Sequence, residues 1–187
     1  LPAFGMTNAQ AGFLLSAYAV GCLILYIPGG ILADKFSAKK MLVLSLVGTG
    51  ILGFVMAFSM NYITAMIVFF LFAVTTSFVF WTALNKGLRL LGGKDNSGST
   101  YGWYYALGSV ISLVCSFIFW GLYASTDDNH DAMFRTIIGM SVAVIIAAVF
   151  VQITFKESET EEGQLAEEDR FKISDIGKAV CNPYLWW

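Results

Sequence analysis

Charged side chains are few in this sequence. They make up 13% of its 187 residues, and none occurs between Met41 and Asn85. A soluble domain of this length covers its surface with polar groups and cannot leave so long a stretch uncharged. Hydrophobic residues account for 57% of the chain. The composition therefore excludes an ordinary soluble domain and predicts a membrane protein, with the lipid bilayer as its main partner.

Cysteine and histidine are scarcer still. The three cysteines, Cys22, Cys115 and Cys181, are odd in number and two of them lie within apolar runs, which argues against a disulfide framework. The single histidine, His130, lies in an acidic loop, where a solvated side chain is expected rather than a metal ligand. The sequence shows no nucleophile with a base, metal-ligand cluster, phosphate loop or basic patch. We therefore predict no enzyme, no metal, no cofactor and no nucleic-acid partner.

Five apolar runs separated by polar turns predict five transmembrane helices within residues 1–155. Each run holds roughly 19 to 24 residues, which at about 1.5 Å per residue is enough to cross a hydrocarbon core of about 30 Å. The first begins at Thr7 and Gln10 in a capping-box pattern. The predicted helices are 10–33, 41–59, 62–85, 101–123 and 133–154. The predicted fold class is an all-α membrane protein, a polytopic helical bundle.

Glycine marks a turn and several contacts between helices. The hydrophilic segment from Gly92 to Gly98 predicts a turn between the third and fourth helices. Small residues four apart let helices approach closely. Two pairs have this spacing, Gly12 with Ser16 and Gly98 with Gly102, and we predict close packing at both.

The cations indicate how the runs are oriented. Ten of the eleven Lys and Arg residues fall in alternate turns and after the fifth run, and only Arg135 lies elsewhere. Cations collect on the cytoplasmic side of membrane proteins. We therefore predict a multi-pass protein of the cell (inner) membrane, with the N-terminus of this chain outside and its C-terminus in the cytoplasm.

The residues after the fifth run are of a different kind. Residues 156–181 begin with a polar, acidic stretch, after which apolar residues recur at near-helical spacing. This predicts a cytoplasmic linker that carries an amphipathic helix at the membrane surface. Residues 182–187 contain a proline ahead of aromatic residues and predict the start of another transmembrane helix.

The link between the first two runs has a distinctive pattern. It reads Gly-Ile-Leu-Ala-Asp-Lys-Phe-Ser-Ala-Lys-Lys from Gly30 to Lys40. This stretch resembles the signature loop between the second and third helices of the major facilitator superfamily, Gly-x-Leu-Ala-Asp-Arg/Lys-x-Gly-x-Arg/Lys-Arg/Lys. One position departs from that pattern, because Ser37 stands where the family usually has glycine.

The resemblance extends to the order of the segments. An outside start, a charged cytoplasmic turn, four more spans, a cytoplasmic linker and a new span look like helices two to six of such a transporter, its central loop and the start of helix seven. Five helices of the N-terminal six-helix half would then be present, as a partial fold of that family. The resemblance implies that the remaining half of the same polypeptide is a partner.

The family resemblance also implies a function. It implies a secondary active transporter, in which two six-helix bundles rock about a central site and expose it to each side in turn. The expected ligands are a small-molecule substrate and either a coupling ion, H⁺ or Na⁺, or a counter-solute. The alternative is a non-transporting membrane scaffold or signalling subunit with a similar fold.

The resemblance assigns gating to the charged link. The residues concerned are Gly30, Asp34, Lys35, Lys39 and Lys40. Asp34 would lie at the carbonyl end of the first helix, where the helix dipole disfavours a carboxylate, so it needs a cationic or amide partner. In the family this carboxylate latches the cytoplasmic gate while the transporter faces outward. For the lysines, simple anchoring on the cytoplasmic side is the alternative.

Two cations at the end of the third run are candidates for solute binding. Lys86 and Arg89 are three residues apart and share one helix face, so both can point into a central cavity and attract an anion. Interfacial snorkelling is the alternative. Trp81, Lys86 and Gly98 also keep a spacing similar to that in the organophosphate:phosphate antiporter branch. That resemblance implies an anionic or organic solute such as a sugar phosphate or carboxylate.

Hydroxyl groups mark two further stretches. Four of them form one stripe on the predicted fourth helix: Tyr105, Ser109, Ser112 and Ser116. Such a stripe either lines a water-filled path, and so contributes to substrate binding, or packs against another helix. The consecutive Thr75, Thr76 and Ser77 are either cavity residues or bond back to carbonyls of their own helix.

Overall fold

The computed structural model describes residues 5–33, 36–59 and 61–155. Its elements are α1 (Asn8–Ala33), α2 (Ala38–Phe58), α3 (Tyr62–Ala73), a π-helix (Val74–Trp81), α4 (Thr82–Ala124) and α5 (Asn129–Thr154). All of these elements are helices, which confirms the predicted all-α class. The predictions for Asp34, Lys35, residues 156–181 and residues 182–187 concern positions outside the described part of the chain.

Five segments are long and apolar enough to cross a membrane, as the sequence predicts. They are the first span (Asn8–Tyr26), the second (Ala38–Phe58), the third (Tyr62–Arg89), the fourth (Gly98–Ala124) and the fifth (Asn129–Thr154). The third span runs through α3, the π-helix and the beginning of α4. Large apolar side chains such as Leu23, Phe117 and Ile153 are exposed along the spans, which suits a lipid environment.

α1 and α5 begin where a side chain caps their free amides. Thr7 N donates to Gln10 Oε1 at 2.9 Å and Gln10 N donates to Thr7 Oγ1 at 3.2 Å, so the predicted capping box is confirmed. Asp128 caps α5, which begins at Asn129 rather than at the predicted residue 133. The cap explains the difference, because it lets the helix include polar residues that the apolar pattern leaves out.

The turn between the third and fourth spans is much shorter than predicted. Helical residues continue on both sides of Gly93, which has φ 58° and ψ −168°, a conformation that favours glycine. Tyr101 OH donates to Asn85 O at 3.1 Å. A straight helix would separate these two residues by about 24 Å, so the chain must fold back at Gly93. The predicted hydrophilic turn from residue 92 to 98 therefore contains one non-helical residue, Gly93, and the third span ends at Arg89 and the fourth begins at Gly98 rather than at the predicted residues 85 and 101.

We call residues 82–92 the first arm of α4 and residues 94–124 its second arm. The first arm completes the third span, and the second arm contains the fourth. Asn85 and Tyr101 are equally far from Gly93 along the chain and are joined by a hydrogen bond, so the two arms lie side by side at this level.

α1 and the third span run side by side in the same direction. The rings of Tyr18 and Phe69 meet edge to face with 6.4 Å between their centroids. Further along both elements, Gly29 lies against the backbone of Phe78, and a Cβ added to Gly29 would be 2.5 Å from Phe78 O. The absence of a side chain at Gly29 therefore allows α1 to touch the π-helix directly.

α2 and α5 pack together in opposite directions. Phe58 at the end of α2 meets Phe134 near the start of α5, with ring centroids 5.6 Å apart. At the other end, Val151 of α5 packs against the buried cluster that contains Met41 of α2. The pairing therefore extends along both spans.

Small residues form much of the described core. The buried alanines are Ala38, Ala57, Ala65, Ala73, Ala83, Ala132 and Ala148. Gly53 of α2 is also buried, against Ser141 of α5. The close packing predicted at Gly12, Gly98 and Gly102 is not observed among the described residues, because a Cβ at any of these three would meet nothing within 4 Å there. Close approaches occur instead at other glycines, such as Gly29 and Gly53.

Candidate functional site

A layer of hydroxyl groups joins three spans near their middle. We call Tyr18, Thr49, Thr75, Thr76 and Ser77 the hydroxyl layer. Thr49 Oγ1 donates to Thr75 Oγ1 at 3.0 Å, and Tyr18 OH and Thr76 Oγ1 are hydrogen bonded at 2.9 Å. Ser77 Oγ donates to the carbonyl oxygen of Cys22 at 3.1 Å. Such groups are costly to bury in a bilayer without partners, so the layer satisfies itself across helices.

The layer coincides with the π-helix. Thr75 and Thr76 both donate to Phe72 O, at 3.3 and 2.6 Å, while they also bond to α2 and α1. The back-bonding alternative is therefore observed for Thr75 and Thr76, together with contacts to other spans. π-Helical turns within α-helices are frequent at functional sites.

The chemistry of the hydroxyl layer is neutral. Its members can donate and accept hydrogen bonds, but none of them is a carboxylate or an imidazole. Because Thr76 gives its proton to Phe72 O, Tyr18 is the donor in the bond between the two. The layer can therefore bind a polar group that replaces one of its internal hydrogen bonds. It contains no group that would carry a proton across the membrane at neutral pH.

A second polar group lies where α1, the α1–α2 link and both arms of α4 meet. We call Tyr26, Phe36, Asn85, Lys86 and Tyr101 the hinge junction. Lys86 Nζ donates to Phe36 O at 2.8 Å, and Asn85 Nδ2 donates to Tyr26 OH at 3.4 Å. Tyr101 OH donates to Asn85 O. Two consecutive residues, Asn85 and Lys86, thus contact three neighbouring parts of the chain.

The predicted gating residues lie beside this junction where the structure describes them. Gly30 is half-buried within α1, and Lys39 and Lys40 lie in the first turn of α2. Ser37 caps α2 by accepting a hydrogen bond from Lys40 N at 3.4 Å. The serine at this position therefore has a structural role, because it provides a side-chain acceptor that glycine lacks.

The candidate substrate-binding residues are divided between two places. Lys86 is in the hinge junction, and Arg89 is exposed on the same arm of α4. Ser116 lies fifteen residues beyond Tyr101, about 22 Å along the second arm at about 1.5 Å per residue. One small solute cannot contact both ends of this set. Sequence spacing placed the residues on common faces but could not show their separation along the span.

The serine stripe faces two environments. Tyr105 and Ser109 are exposed, and Ser109 Oγ donates to Tyr105 O at 2.7 Å. Ser112 and Ser116 line an open groove of about 510 Å³ between the second arm and α5, and Ser116 Oγ donates to Ser112 O at 2.7 Å. The other lining residues are Cys115, Phe119, Trp120, Tyr123, Thr136 and Met140. Both serine donors are satisfied by their own helix, as is common for hydroxyls in transmembrane helices.

Comparison with known proteins identifies the class. The family model of the Major Facilitator Superfamily matches residues 1–187. The chain therefore belongs to this superfamily of membrane transporters, and the predicted partial bundle of that fold is confirmed. The match is to the superfamily as a whole, so the link to the organophosphate:phosphate branch stays a prediction.

Two similar proteins come from Escherichia coli (strain K12). Inner membrane protein YqcE is 29% identical over 185 residues, which cover 98% of this chain and 44% of YqcE. Inner membrane protein YihN is 26% identical over 188 residues, again 98% of this chain and 44% of the relative. The chain thus spans less than half the length of these relatives, and no solved structure matches it significantly. These relatives support a multi-pass protein of the inner membrane.

Proposed function

We propose that the full-length protein is a secondary active transporter that moves a small solute by rocker-switch alternating access. The observation that carries this proposal is the hydroxyl layer on the π-helix, since a polar layer at mid-depth beside irregular backbone is where transporters bind their substrates. A coupling ion or counter-solute would drive the cycle. The experiment is counterflow in proteoliposomes of the full-length protein, with sugars, sugar phosphates, carboxylates and amino acids as test solutes. Failure of the folded protein to exchange any of them would contradict the proposal.

The charged link from Gly30 to Lys40 is the proposed cytoplasmic gate. In this proposal the N-terminus of the chain is outside, and Asp34 latches the gate together with Lys35, Lys39 and Lys40. Asp34→Asn removes the charge without changing the shape of the side chain. We expect it to lower the counterflow rate about tenfold or more, as loss of a coupling of 1 to 3 kcal/mol would. The same rate in the variant, at equal amounts of protein in the vesicles, would contradict the gate assignment.

The proposed solute is an anionic or organic molecule such as a sugar phosphate or carboxylate. Arg89 is about 20 Å from Thr76 along the third span, at about 1.5 Å per residue, so it is proposed to bind the solute on its way to the hydroxyl layer. Arg89 is exposed on the first arm of α4. We expect Arg89→Gln to raise the KM for the anionic solute about tenfold, because one charge-assisted hydrogen bond is lost. The KM values come from initial counterflow rates.

Two variants control that measurement. Arg89→Lys keeps the charge and should have a smaller effect than Arg89→Gln. Arg135→Gln removes an exposed cation from the start of α5 and should leave the KM unchanged. An equal rise in KM for neutral and anionic solutes would mean that Arg89 does not recognise charge.

A further inference from the structure

We propose that Lys86 is a positioning residue of the gate: it fastens the α1–α2 link to the third span, instead of binding solute. The role in gating rests on the proposed transport function, and the role as an anchor rests on the contacts of the hinge junction. It assigns different roles to the two cations of the first arm of α4. Arg89 meets the solute, and Lys86 holds the link.

The bond to Phe36 is the first step of the argument. Lys86 Nζ lies 2.8 Å from Phe36 O, although the two residues are 50 positions apart in the chain. Lys86 is half-buried, so its ammonium group has exchanged part of its hydration for this carbonyl. A lysine that only snorkels would direct its ammonium group into water. The ammonium group of Lys86 instead donates to a backbone carbonyl, that of Phe36.

The position of Phe36 is the second step. Phe36 immediately precedes Ser37, whose side chain caps α2 through Lys40 N and whose carbonyl accepts from Met41 N at 3.1 Å. The bond to the Phe36 carbonyl therefore restricts the backbone of Ser37, the residue that caps α2. Loss of the anchor should loosen the first turn of α2, where the free amides depend on the cap.

The third step is the connection beyond the link. Asn85, next to Lys86, donates to Tyr26 OH of α1 and accepts from Tyr101 OH of the second arm. Gly29 holds α1 against Phe78 of the same span. A displacement of the link is thus passed to the third span at Lys86, and from Asn85 to the fourth span. These contacts form a contiguous set that joins the link to the third and fourth spans, and such a set is one physical route for coupling.

Hydrogen exchange of the full-length protein in lipid nanodiscs tests the anchor without any transport. Lys86→Met should speed exchange of the Lys40 and Met41 amides about fivefold to tenfold, as expected for a charge-assisted bond that is partly exposed. Lys86→Arg can still donate to Phe36 O and should stay within twofold of the wild type. Arg135→Met is the control for loss of a cation and should also stay within twofold. Unchanged exchange in Lys86→Met would overturn the inference.

Counterflow kinetics separate positioning from solute binding. Lys86→Met should lower the maximal rate about fivefold and leave the KM within twofold of the wild type, and Lys86→Arg should restore the rate. A rise in KM above tenfold would instead make Lys86 a solute ligand and overturn the inference. If the wild type exchanges no solute, the proposed function fails, while hydrogen exchange still decides whether Lys86 anchors the link.

A proximity measurement covers the case in which Lys86→Met does not fold. Phe36→Cys with Lys86→Cys, in a protein whose Cys22, Cys115 and Cys181 are replaced by alanine, should be joined by a short thiol cross-linker. Phe36→Cys with Arg135→Cys is the negative control. Equal cross-linking of both pairs, or none of the first, would overturn the inference.

Discussion

Replacement of Gly29 by alanine should destabilise the bundle by about 3 kcal/mol, the upper part of the range for overpacking. The added Cβ would lie 2.5 Å from Phe78 O and 3.0 Å from Phe78 Cα. Those are backbone atoms, so no side chain can rotate away and α1 has to move off the π-helix. Helix propensity favours alanine over glycine by about 1 kcal/mol, which offsets only part of the cost.

The effect of Gly29→Ala is measured as the fraction of monodisperse full-length protein after heating in detergent. Gly12→Ala is the matched control, because it lies in the same helix with nothing within 4 Å of the added Cβ. The control should be as stable as the wild type or slightly more so. Equal melting of the two variants would show that α1 and the π-helix are not in direct contact at Gly29.

Gly53→Ala should cost about 2 kcal/mol at the interface between α2 and α5. The added Cβ would overlap Ser141 Oγ and lie 3.2 Å from Ser141 Cβ. Ser141 is buried, and its hydroxyl donates to Ile137 O at 2.8 Å, so rotation away from the new methyl group would break this bond. The cost is therefore smaller than at Gly29, where backbone is in the way.

A second substitution tests the cause of that loss. Ser141→Ala removes the hydroxyl that clashes, so the double variant Gly53→Ala with Ser141→Ala should recover most of the stability lost in the single variant. Gly121→Ala, which meets nothing within 4 Å, is the control in α4. Additive losses in the double variant would show that Gly53 and Ser141 do not face each other.

The spans were predictable because a long run of apolar residues without charge is more stable in a bilayer than in water. All five predicted runs correspond to apolar helices of sufficient length. The capping box at Thr7 and Gln10 was predictable for a similar reason, since both partners are close together in sequence.

Contacts between distant residues were not predictable in the same way. The sequence marked Gly12, Gly98 and Gly102 as packing positions by their spacing, but the close approaches occur at Gly29 and Gly53. What decides this is the atom on the facing helix, which spacing within one helix does not reveal. The predicted turn from Gly92 to Gly98 includes Gly93, but the helical residues on both sides of Gly93 were not predicted, because polar residues suggest a loop although they are compatible with exposed helix ends.

The candidate site was predictable in part. The sequence identified Thr75, Thr76 and Ser77 as possible cavity residues, but the π-helix and the partners Tyr18 and Thr49 come from long-range packing. Lys86 was placed on a face with Arg89, whereas its bond to Phe36 O depends on how the α1–α2 link is folded. An informative signal would have been the adjacency of Asn85 and Lys86, two polar residues at the end of an otherwise apolar run.

The reversal at Gly93 bears on how the protein is made. Only Gly93 is non-helical between the two arms of α4, and residues 90–97 separate the third span from the fourth. We therefore expect the two spans to enter the membrane as a helical hairpin, so that a substitution that disfavours positive φ at Gly93 hinders biogenesis before it affects any finished transporter.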